Sequence, residues 1–457
     1  MSDTRTLCAA AGLSADSRTW TTLASRRRDG CGSETSCCVR KAPAPRASSG
    51  SSCRSSARAT EGRFKSRRRK AADVSRVIVS PVKHVVILGA GFAGLELATR
   101  LSESLADEVR ATLIDQSDSF SFGFSKLDIV FGRKPAADVL LHYEDISLKG
   151  VEFRQERVTS IDPARRRVTT DAGSYDADIL VVALGADYDF AATPGFEEGG
   201  VEYYSVAGAE RMSGVLSDFD SGKILIGILG QPFKCPPAPF EGALLLHDHF
   251  VDRGVRDSVD IRVVGPMAAP VPITKEVSQS ILDALTERGI EYVPNQHIVE
   301  VDTRSNEAQL ASGGSIPYDL FVGIPVHRVP HAVESSGLAV DGWVPVEKTN
   351  LATRFPDVYA VGDLTALPMA KAGVFAEAAA RVVADDIAAR LHGDVLRQPY
   401  EGAGTCYIEF GGGMVGMVEA NFLGGPKPTA QLVGPSRELA AHKEAFASTR
   451  RERWFGS

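Results

Sequence analysis

Residues 84–94 read HVVILGAGFAG, an apolar run of strand length that ends in the pattern Gly-x-Gly-x-x-Gly. Leu97, Leu101 and Leu105 follow one helical turn apart, so one face of the next segment is apolar. This order predicts a buried strand, a tight glycine turn and a helix that packs on the sheet to which the strand belongs.

The glycine turn and the next strand together predict a dinucleotide site. Gly89 permits the tight turn, Gly91 lets the backbone approach a pyrophosphate, and Gly94 lets helix and strand pack closely. A second apolar run, residues 109–114, ends in Asp115, 21 residues past Gly94, where an acidic residue accepts a ribose hydroxyl. Within the turn, the residues predicted to line the pyrophosphate are Gly89, Gly91, Phe92, Ala93 and Gly94.

The length and composition are those of an ordinary globular protein with more than one domain. It has 457 residues, of which 44% are hydrophobic and 24% charged, and no apolar run reaches the ~18 residues that a spanning helix needs. Residues 1–77 hold 17 Lys and Arg against 6 Asp and Glu, although the whole chain has a net charge of −7. The remainder is therefore strongly acidic, which argues against nucleic acid as a partner.

Residues 1–77 lack apolar periodicity and are rich in Ser, Arg, Ala and Gly, so we expect a disordered leader. A transit peptide, a solvated tail and a start codon assigned too far upstream all fit this composition. Five of the seven cysteines lie in this leader, which leaves Cys235 and Cys406 in the body. Two isolated thiols there are either inert core residues or a redox pair.

A second α/β unit begins at residues 223–230, KILIGILG. A nicotinamide-binding domain would carry a second glycine motif here, but the sequence continues as QPFKCPPAPFE. Prolines stiffen this turn, and bulky side chains fill the space where a pyrophosphate needs bare backbone. No acidic residue follows the next predicted strand, residues 261–265. The second unit therefore has the predicted shape of a nucleotide domain without its binding residues.

These patterns predict an α/β protein with two Rossmann-like dinucleotide-binding domains and a short C-terminal β/α segment. The expected division is a leader (1–77), the first part of an FAD-binding domain (78–195), a degenerate NAD-like domain (196–318), the second part of the FAD-binding domain (319–395) and a C-terminal segment (396–457).

Three motifs carry a family resemblance that covers nearly all of residues 82–454. The glycine turn, ALG at 183–185 and VYAVGD at 358–363 resemble the flavoproteins related to glutathione reductase. KCPPAPFE at 234–241 and GTCYIEF at 404–410 look like the sulfide:quinone oxidoreductase and flavocytochrome c sulfide dehydrogenase branch of the FAD-dependent pyridine nucleotide-disulfide oxidoreductases.

The resemblance implies FAD as the cofactor. Asp363 would bind the ribityl chain or the pyrophosphate, and Lys371 would lie near the C2 carbonyl of the isoalloxazine ring, where a cation favours the reduced flavin. The implied cofactor-binding set is Gly89, Gly91, Phe92, Ala93, Gly94, Asp115, Gly185, Gly362, Asp363 and Lys371.

The resemblance also implies a catalytic set. Cys235 and Cys406 match the two cysteines of the branch's redox-active disulfide, and Glu241 matches a glutamate proposed as a base. Lys234 and a helix start beside Cys235 predict a lowered thiol pKa. Glu241 would act as a base if its surroundings raised its pKa towards neutrality, whereas a capping or solvated glutamate is the simpler interpretation.

The expected activity is oxidation of sulfide or a small thiol through the Cys235/Cys406 pair, with electrons passed to a quinone or a protein acceptor. One alternative is an NAD(P)H-dependent flavin reductase of the type II NADH:quinone or ferredoxin-reductase kind. Another is a flavin-bearing scaffold or sensor. No metal site is expected, since His247 and His249 point to different helix faces. We expect a cytoplasmic location or one at the membrane periphery, where Trp454 and Phe455 would meet lipid; the oligomeric state stays open.

Overall fold

The computed structural model describes residues 81–456, so the predicted leader, residues 1–77, lies outside the described residues. A parallel five-stranded sheet contains the strand of the glycine motif at its centre. In spatial order its strands are Val358–Ala360, Ile179–Val182, Lys83–Leu88, Val109–Asp115 and Val151–Gln155.

Residues 85–88 of the central strand are fully buried, because helices cover the sheet. Helix Phe92–Leu105 follows the glycine turn as predicted and packs against helix Gly373–His392. The leucines at one-turn spacing lie in this core, which confirms the predicted apolar face.

A second parallel sheet repeats the arrangement. Its strands, in spatial order, are Gly200–Val201, Leu320–Ile324, Gly222–Ile228, Val259–Val264 and Glu291–Val293. Its helices are Val206–Ser217, Ala238–Asp252 and Lys275–Glu287.

One predicted boundary is wrong. Leu320–Ile324 was expected to return the chain to the first domain at residue 319, but it pairs in parallel register with Gly222–Ile228 of the second sheet. Strand length and apolar content cannot distinguish two parallel sheets that are both covered by helices. The chain rejoins the first sheet at Val358–Ala360.

The C-terminal segment forms an antiparallel sheet and a helix. The strands are Ala403–Gly411, Met414–Asn421 and Thr429–Ser436, and the helix is Glu438–Phe455. Trp454 and Phe455 are buried, and the Trp454 indole N–H donates to Glu96, 2.9 Å away. The expectation that this aromatic pair meets lipid is therefore wrong, because the pair anchors the helix to the first domain.

Shorter elements complete the described part of the chain. The remaining strands are Ser119–Phe120, Leu141–His142, Val158–Asp162, Arg167–Thr170, Ser174–Asp176, Asp187–Asp189, Ile298–Asp302, Glu307–Leu310, Ser315–Pro317 and Val326–Arg328. The remaining helices are Ser125–Val130, Ala136–Val139, Phe196–Gly199 and His331–Glu334, with 3₁₀ turns at Tyr143–Asp145, Phe190–Ala192 and Arg256–Ser258. Among residues 81–456, every helix is too short or too polar to cross a bilayer.

Candidate active site

The first glycine turn has the steric character that a bound pyrophosphate requires. A Cβ atom on Gly94 would lie 1.8 Å from the Gly89 carbonyl oxygen, so a side chain at Gly94 would push helix and strand apart. Gly89 has a φ of +96°, in the region that favours glycine. Around the Cβ position of Gly91, in contrast, no atom lies within 4 Å. The turn is therefore closely packed at Gly89 and Gly94. At Gly91, near the start of the helix, its backbone is open to an approaching phosphate.

Asp115 ends the neighbouring strand and faces this turn. Its Oδ2 accepts the Ala90 N–H at 2.7 Å, and its Oδ1 accepts the Ser117 N–H at 2.9 Å. The Tyr143 hydroxyl donates to the Ala90 carbonyl at 2.8 Å, which ties the turn from the other side. A carboxylate held beside the glycine turn fits the predicted ribose-binding role.

Gly185 and Gly362 follow two neighbouring strands, Ile179–Val182 and Val358–Ala360, on one side of the central strand. Both have positive φ values, +66° and +84°, and the Cβ position of Gly185 is open. Asp363 comes next, and burial raises the pKa of its carboxyl. Because carboxyl ends of parallel strands share one edge, the structure brings these predicted residues to the same edge as the glycine turn and Asp115.

Lys371 lies at this edge but its ammonium already has partners. It donates to the carbonyls of Asp363 and Thr365, at 2.5 and 3.2 Å, and lies 3.6 Å from the centre of the Trp343 ring. Burial lowers the pKa of Lys371 to about 8. Its predicted place near the flavin C2 carbonyl stays a prediction.

The turn of the second domain is hydrogen-bonded directly to this edge. The Cys235 N–H donates to the Lys371 carbonyl at 2.8 Å, and Lys234 and Lys371 form a parallel bridge. Cys235 itself has a φ of +51°, and its carbonyl accepts the Ala238 N–H, where helix Ala238–Asp252 begins. The tertiary structure therefore holds Cys235 against the predicted cofactor-binding domain.

Both thiols are free in this structure. Cys235 is reachable from solvent, yet enough protein surrounds it that burial raises the pKa of its thiol well above the usual range, with further increases from Glu241 and Cys406. Burial and Glu241 raise the pKa of Cys406 to about 12. Cys235 therefore lines a cleft, and the mutual effects place Cys406 and Glu241 within electrostatic reach of it.

The predicted lowering of the Cys235 pKa is wrong. The Lys234 ammonium turns to the Tyr188 hydroxyl, 3.2 Å away, and lies 4.4 Å from the centre of that ring. Desolvation then outweighs the neighbouring helix start. Sequence proximity of Lys234 to Cys235 did not reveal which way the lysine points.

Glu241 is buried in the first turn of helix Ala238–Asp252. One carboxylate oxygen accepts the Glu409 N–H at 2.8 Å, and burial raises the pKa of Glu241 to about 7, against a lowering effect of Lys443. The solvated-glutamate interpretation is therefore wrong, and the condition set for a base, a pKa near neutrality, is met.

Three basic residues near this cleft, and the carboxylate that two of them share, were missed in the sequence. Arg133 donates to Glu409 at 2.7 Å, and Lys443 forms a close ion pair with the same carboxylate. Glu409 lies three residues after Cys406 in GTCYIEF. In a strand, residues three apart have side chains on opposite faces, so the sequence pattern did not indicate that Glu409 belongs to the same site as Cys406.

Lys126 was the third. It lies on helix Ser125–Val130, whose apolar residues belong to the same core as Tyr203 and Tyr204. Burial and Lys234 lower the pKa of Lys126 to about 8, while Glu202 and Cys235 oppose this. Lys126 is therefore a cation within electrostatic reach of Cys235.

A cavity of about 950 Å³ among residues 81–456 lies elsewhere. Charged residues of helices Phe92–Leu105 and Gly373–His392 line it, and no residue of the predicted catalytic set does. Many of its charged groups pair with one another, as Arg100 does with Asp385 at 2.8 Å. Volume alone therefore does not locate the candidate active site, which rests on the chemistry of its side chains. Among the described residues, no cluster of His, Cys, Asp and Glu could hold a metal ion.

The chain thus has two parallel sheets of the dinucleotide-binding type, and a cysteine-bearing turn of the second domain is hydrogen-bonded to the first. This arrangement is typical of flavin-dependent disulfide oxidoreductases. The family model for pyridine nucleotide-disulphide oxidoreductases matches residues 83–222 and 252–381. The chain therefore belongs to that family, and the predicted fold class, FAD cofactor and assignment as an FAD-dependent oxidoreductase are confirmed.

Individual relatives refine the position within the family. The mitochondrial sulfide:quinone oxidoreductase of Mus musculus is 24% identical over 359 residues, which are 76% of this chain and 79% of that protein. A type II NADH:quinone oxidoreductase of Staphylococcus saprophyticus is 34% identical, but over 138 residues, 30% of this chain and 34% of that protein. The predicted resemblance to the sulfide:quinone oxidoreductase branch is confirmed.

The solved structure of the sulfide:quinone oxidoreductase from Aquifex aeolicus superposes with a TM-score of 0.73 and 23% identity, covering 81% of this chain and 92% of that one. This likeness shows a shared fold.

Proposed function

We propose that the protein oxidises sulfide or a small thiol through a Cys235–Cys406 redox pair, with FAD as electron acceptor and a quinone as the final oxidant. One observation carries this proposal: a buried glutamate with a pKa of about 7 lies within electrostatic reach of two cysteines that are distant in sequence. Relatives named for sulfide and quinone, similar over most of the chain, support the donor and the acceptor.

Sulfide oxidation at the cysteine pair takes three steps. Hydrosulfide attacks one sulfur of the Cys235–Cys406 disulfide, the S–S bond breaks, one cysteine becomes a persulfide and the other a thiolate. A second nucleophile then takes the outer sulfur and leaves a thiol. The pair returns to the disulfide by giving up two electrons and two protons. FAD, when bound, supplies the two-electron acceptor for this return.

Glu241 supplies the base that these steps need. Burial holds both thiols in their protonated forms at neutral pH, so their protons must be taken up before the pair can be oxidised. A carboxylate with a pKa near 7 accepts such protons readily. Glu409 holds one Glu241 oxygen through its N–H, which leaves the other oxygen available.

The second turn argues against the nicotinamide alternative. Pro236, Pro237 and Pro239 stand at the helix start and have no N–H to offer a phosphate. Tyr203 also fills this region, since its hydroxyl donates to the Ala238 carbonyl at 2.9 Å. The similarity to the type II NADH:quinone oxidoreductase covers 30% of the chain, too little to carry that activity over.

Anaerobic mixing tests the proposal. The FAD-loaded protein is mixed with sulfide and, separately, with NADH, and the flavin absorbance is followed. We expect prompt bleaching by sulfide and none by NADH. Cys235→Ser and Cys406→Ser should each abolish bleaching while FAD stays bound, and Cys53→Ser, in the leader, is the matched control and should bleach normally.

Three results would refute the proposal. Bleaching by NADH would favour the reductase alternative. Bleaching by neither donor, with a redox-dependent change in partner binding, would favour the sensor. Bleaching by sulfide in both serine variants would remove the cysteines from the reaction. A short-chain quinone and cytochrome c, added to the reduced protein, then separate the two predicted kinds of acceptor.

A further inference from the structure

The backbone at Cys235 is held in a conformation that a non-glycine residue rarely adopts. A φ of +51° is strained for a residue with a Cβ atom and persists when the surroundings impose it. Four hydrogen bonds fix the three peptide units from Phe233 to Pro236. They are Lys234 N–H to His327 Nε2 at 3.2 Å, the Tyr204 hydroxyl to the Lys234 carbonyl at 3.0 Å, Cys235 N–H to the Lys371 carbonyl at 2.8 Å, and Ala238 N–H to the Cys235 carbonyl at 2.9 Å.

His327 differs from the other partners because its role depends on a single tautomer. Its Nδ1 lies 2.8 Å from the Pro325 carbonyl oxygen, which accepts and never donates, so Nδ1 carries the proton. Nε2 is then bare and accepts the Lys234 N–H. Burial and Lys234 lower the pKa of His327 to about 3, so the ring remains neutral across the physiological range.

We propose that His327 is a positioning residue of the candidate active site: its neutral ring fixes the Phe233–Lys234 peptide, one unit before Cys235, and thereby helps to aim the Cys235 thiol. This inference rests on the proposed function for its consequence in turnover, but the positioning itself can be measured without sulfide. His327 reaches this peptide from strand Val326–Arg328, 93 residues beyond Lys234, so the contact exists through the fold alone.

The ring also packs against Tyr188 and Tyr204, with centroid distances of 5.0 and 5.6 Å in edge-on geometry. A purely structural role would therefore be a packing role, which phenylalanine can fill. His327→Phe keeps an aromatic ring and removes both hydrogen bonds. His327→Gln loses the ring but can place an amide oxygen where Nε2 accepts.

The experiment compares these two variants as FAD-loaded proteins. We expect His327→Phe to lower the rate of flavin bleaching at saturating sulfide by tenfold or more, since small misplacements of a reacting group are costly. Hydrogen exchange of residues 233–238 should accelerate, and the FAD content should be unchanged. His327→Gln should restore the bleaching rate to within about threefold of wild type.

Several outcomes would overturn the inference. One is wild-type exchange of residues 233–238 in His327→Phe. Another is equal loss of bleaching in both variants in step with lowered melting temperatures, which would mean a packing role. If His327→Phe does not fold, His327→Asn replaces it, because asparagine can reach Pro325 but not Lys234; unchanged exchange there overturns the inference as well. If wild type is not bleached by sulfide, the proposed function fails, and the exchange measurement still decides the positioning.

Discussion

The turns at Gly89–Gly94 and Gly230–Pro239 occupy the same place in two similar sheets. Each follows a central parallel strand, and each leads into a long helix, Phe92–Leu105 in one case and Ala238–Asp252 in the other. The first turn is built of glycines and leaves bare backbone at the helix start, whereas the second is built of prolines around a cysteine. We propose that the same architectural position serves phosphate binding in one domain and sulfur chemistry in the other.

The largest effect is expected for a substitution in the first turn at Gly94, where helix and strand pack together. Gly94→Ala forces the helix away from the Gly89 carbonyl, so we expect a loss of about 3 kcal/mol in the free energy of unfolding and purification without FAD. Denaturant unfolding and the visible spectrum measure both.

Gly91→Ala is the matched control, because no protein atom lies within 4 Å of its Cβ. It should keep the stability of wild type and weaken FAD binding more than tenfold, about 1.4 kcal/mol. Wild-type FAD affinity in Gly91→Ala would show that the phosphates do not pass over this turn and would break the comparison of the two turns.

The next prediction tests the role of Glu241, in the helix that follows the second turn. Glu241→Gln keeps the hydrogen bond from Glu409 but cannot take up a proton, so sulfide-driven bleaching should fall by about a hundredfold. In wild type the rate should rise with pH through about 7, beyond the rise caused by ionisation of sulfide itself, and in the variant this extra rise should be missing. Identical pH profiles for the two proteins would exclude Glu241 as the base.

Glu241 should also leave a signature in stability. A carboxyl whose pKa is 4.5 when unfolded and about 7 when folded binds its proton more tightly in the native state. The free energy of unfolding should therefore fall as pH rises from about 4.5 to 7, by on the order of 3 kcal/mol, and Glu241→Gln should lack this decline. Urea unfolding of both proteins at pH 5 and pH 8 measures the difference.

The smallest expected effect concerns Lys126, which lies within electrostatic reach of Cys235. Lys126→Met keeps the apolar stem and removes the charge that favours the Cys235 thiolate, so alkylation of Cys235 at pH 8 should slow by about threefold. The measurement uses proteins that also carry Cys406→Ser, so that Cys235 is the thiol of the pair that remains to be alkylated. An unchanged or faster rate would show that Lys126 does not influence this cysteine.

Much of the fold could be predicted because its signals are local. The glycine turn, the helix after it and the strand–helix alternation each depend on neighbouring residues, and the structure confirms them within a few residues. The strand Leu320–Ile324 was assigned to the wrong sheet because an apolar strand carries no mark of its partner.

The candidate site was predicted less completely. Motifs singled out Cys235, Cys406 and Glu241, but sequence neighbours gave the wrong direction for the Cys235 pKa. The ammonium of Lys234, adjacent to that cysteine, turns to Tyr188, whereas Lys126, 109 residues earlier, lies within electrostatic reach of it. The expectation that Trp454 and Phe455 meet lipid failed for the same reason, since the partner of Trp454 is Glu96, far away in the chain.

The sequence by itself determined where a phosphate can approach bare backbone and where it cannot, because steric freedom in a turn belongs to the residues of that turn. Only the tertiary structure decided that Glu241 is a carboxyl with a pKa near 7, that Lys126 comes within electrostatic reach of Cys235, and that His327 holds the Lys234 N–H. Desolvation and charge coupling depend on which distant groups share a cleft, and packing alone sets that neighbourhood.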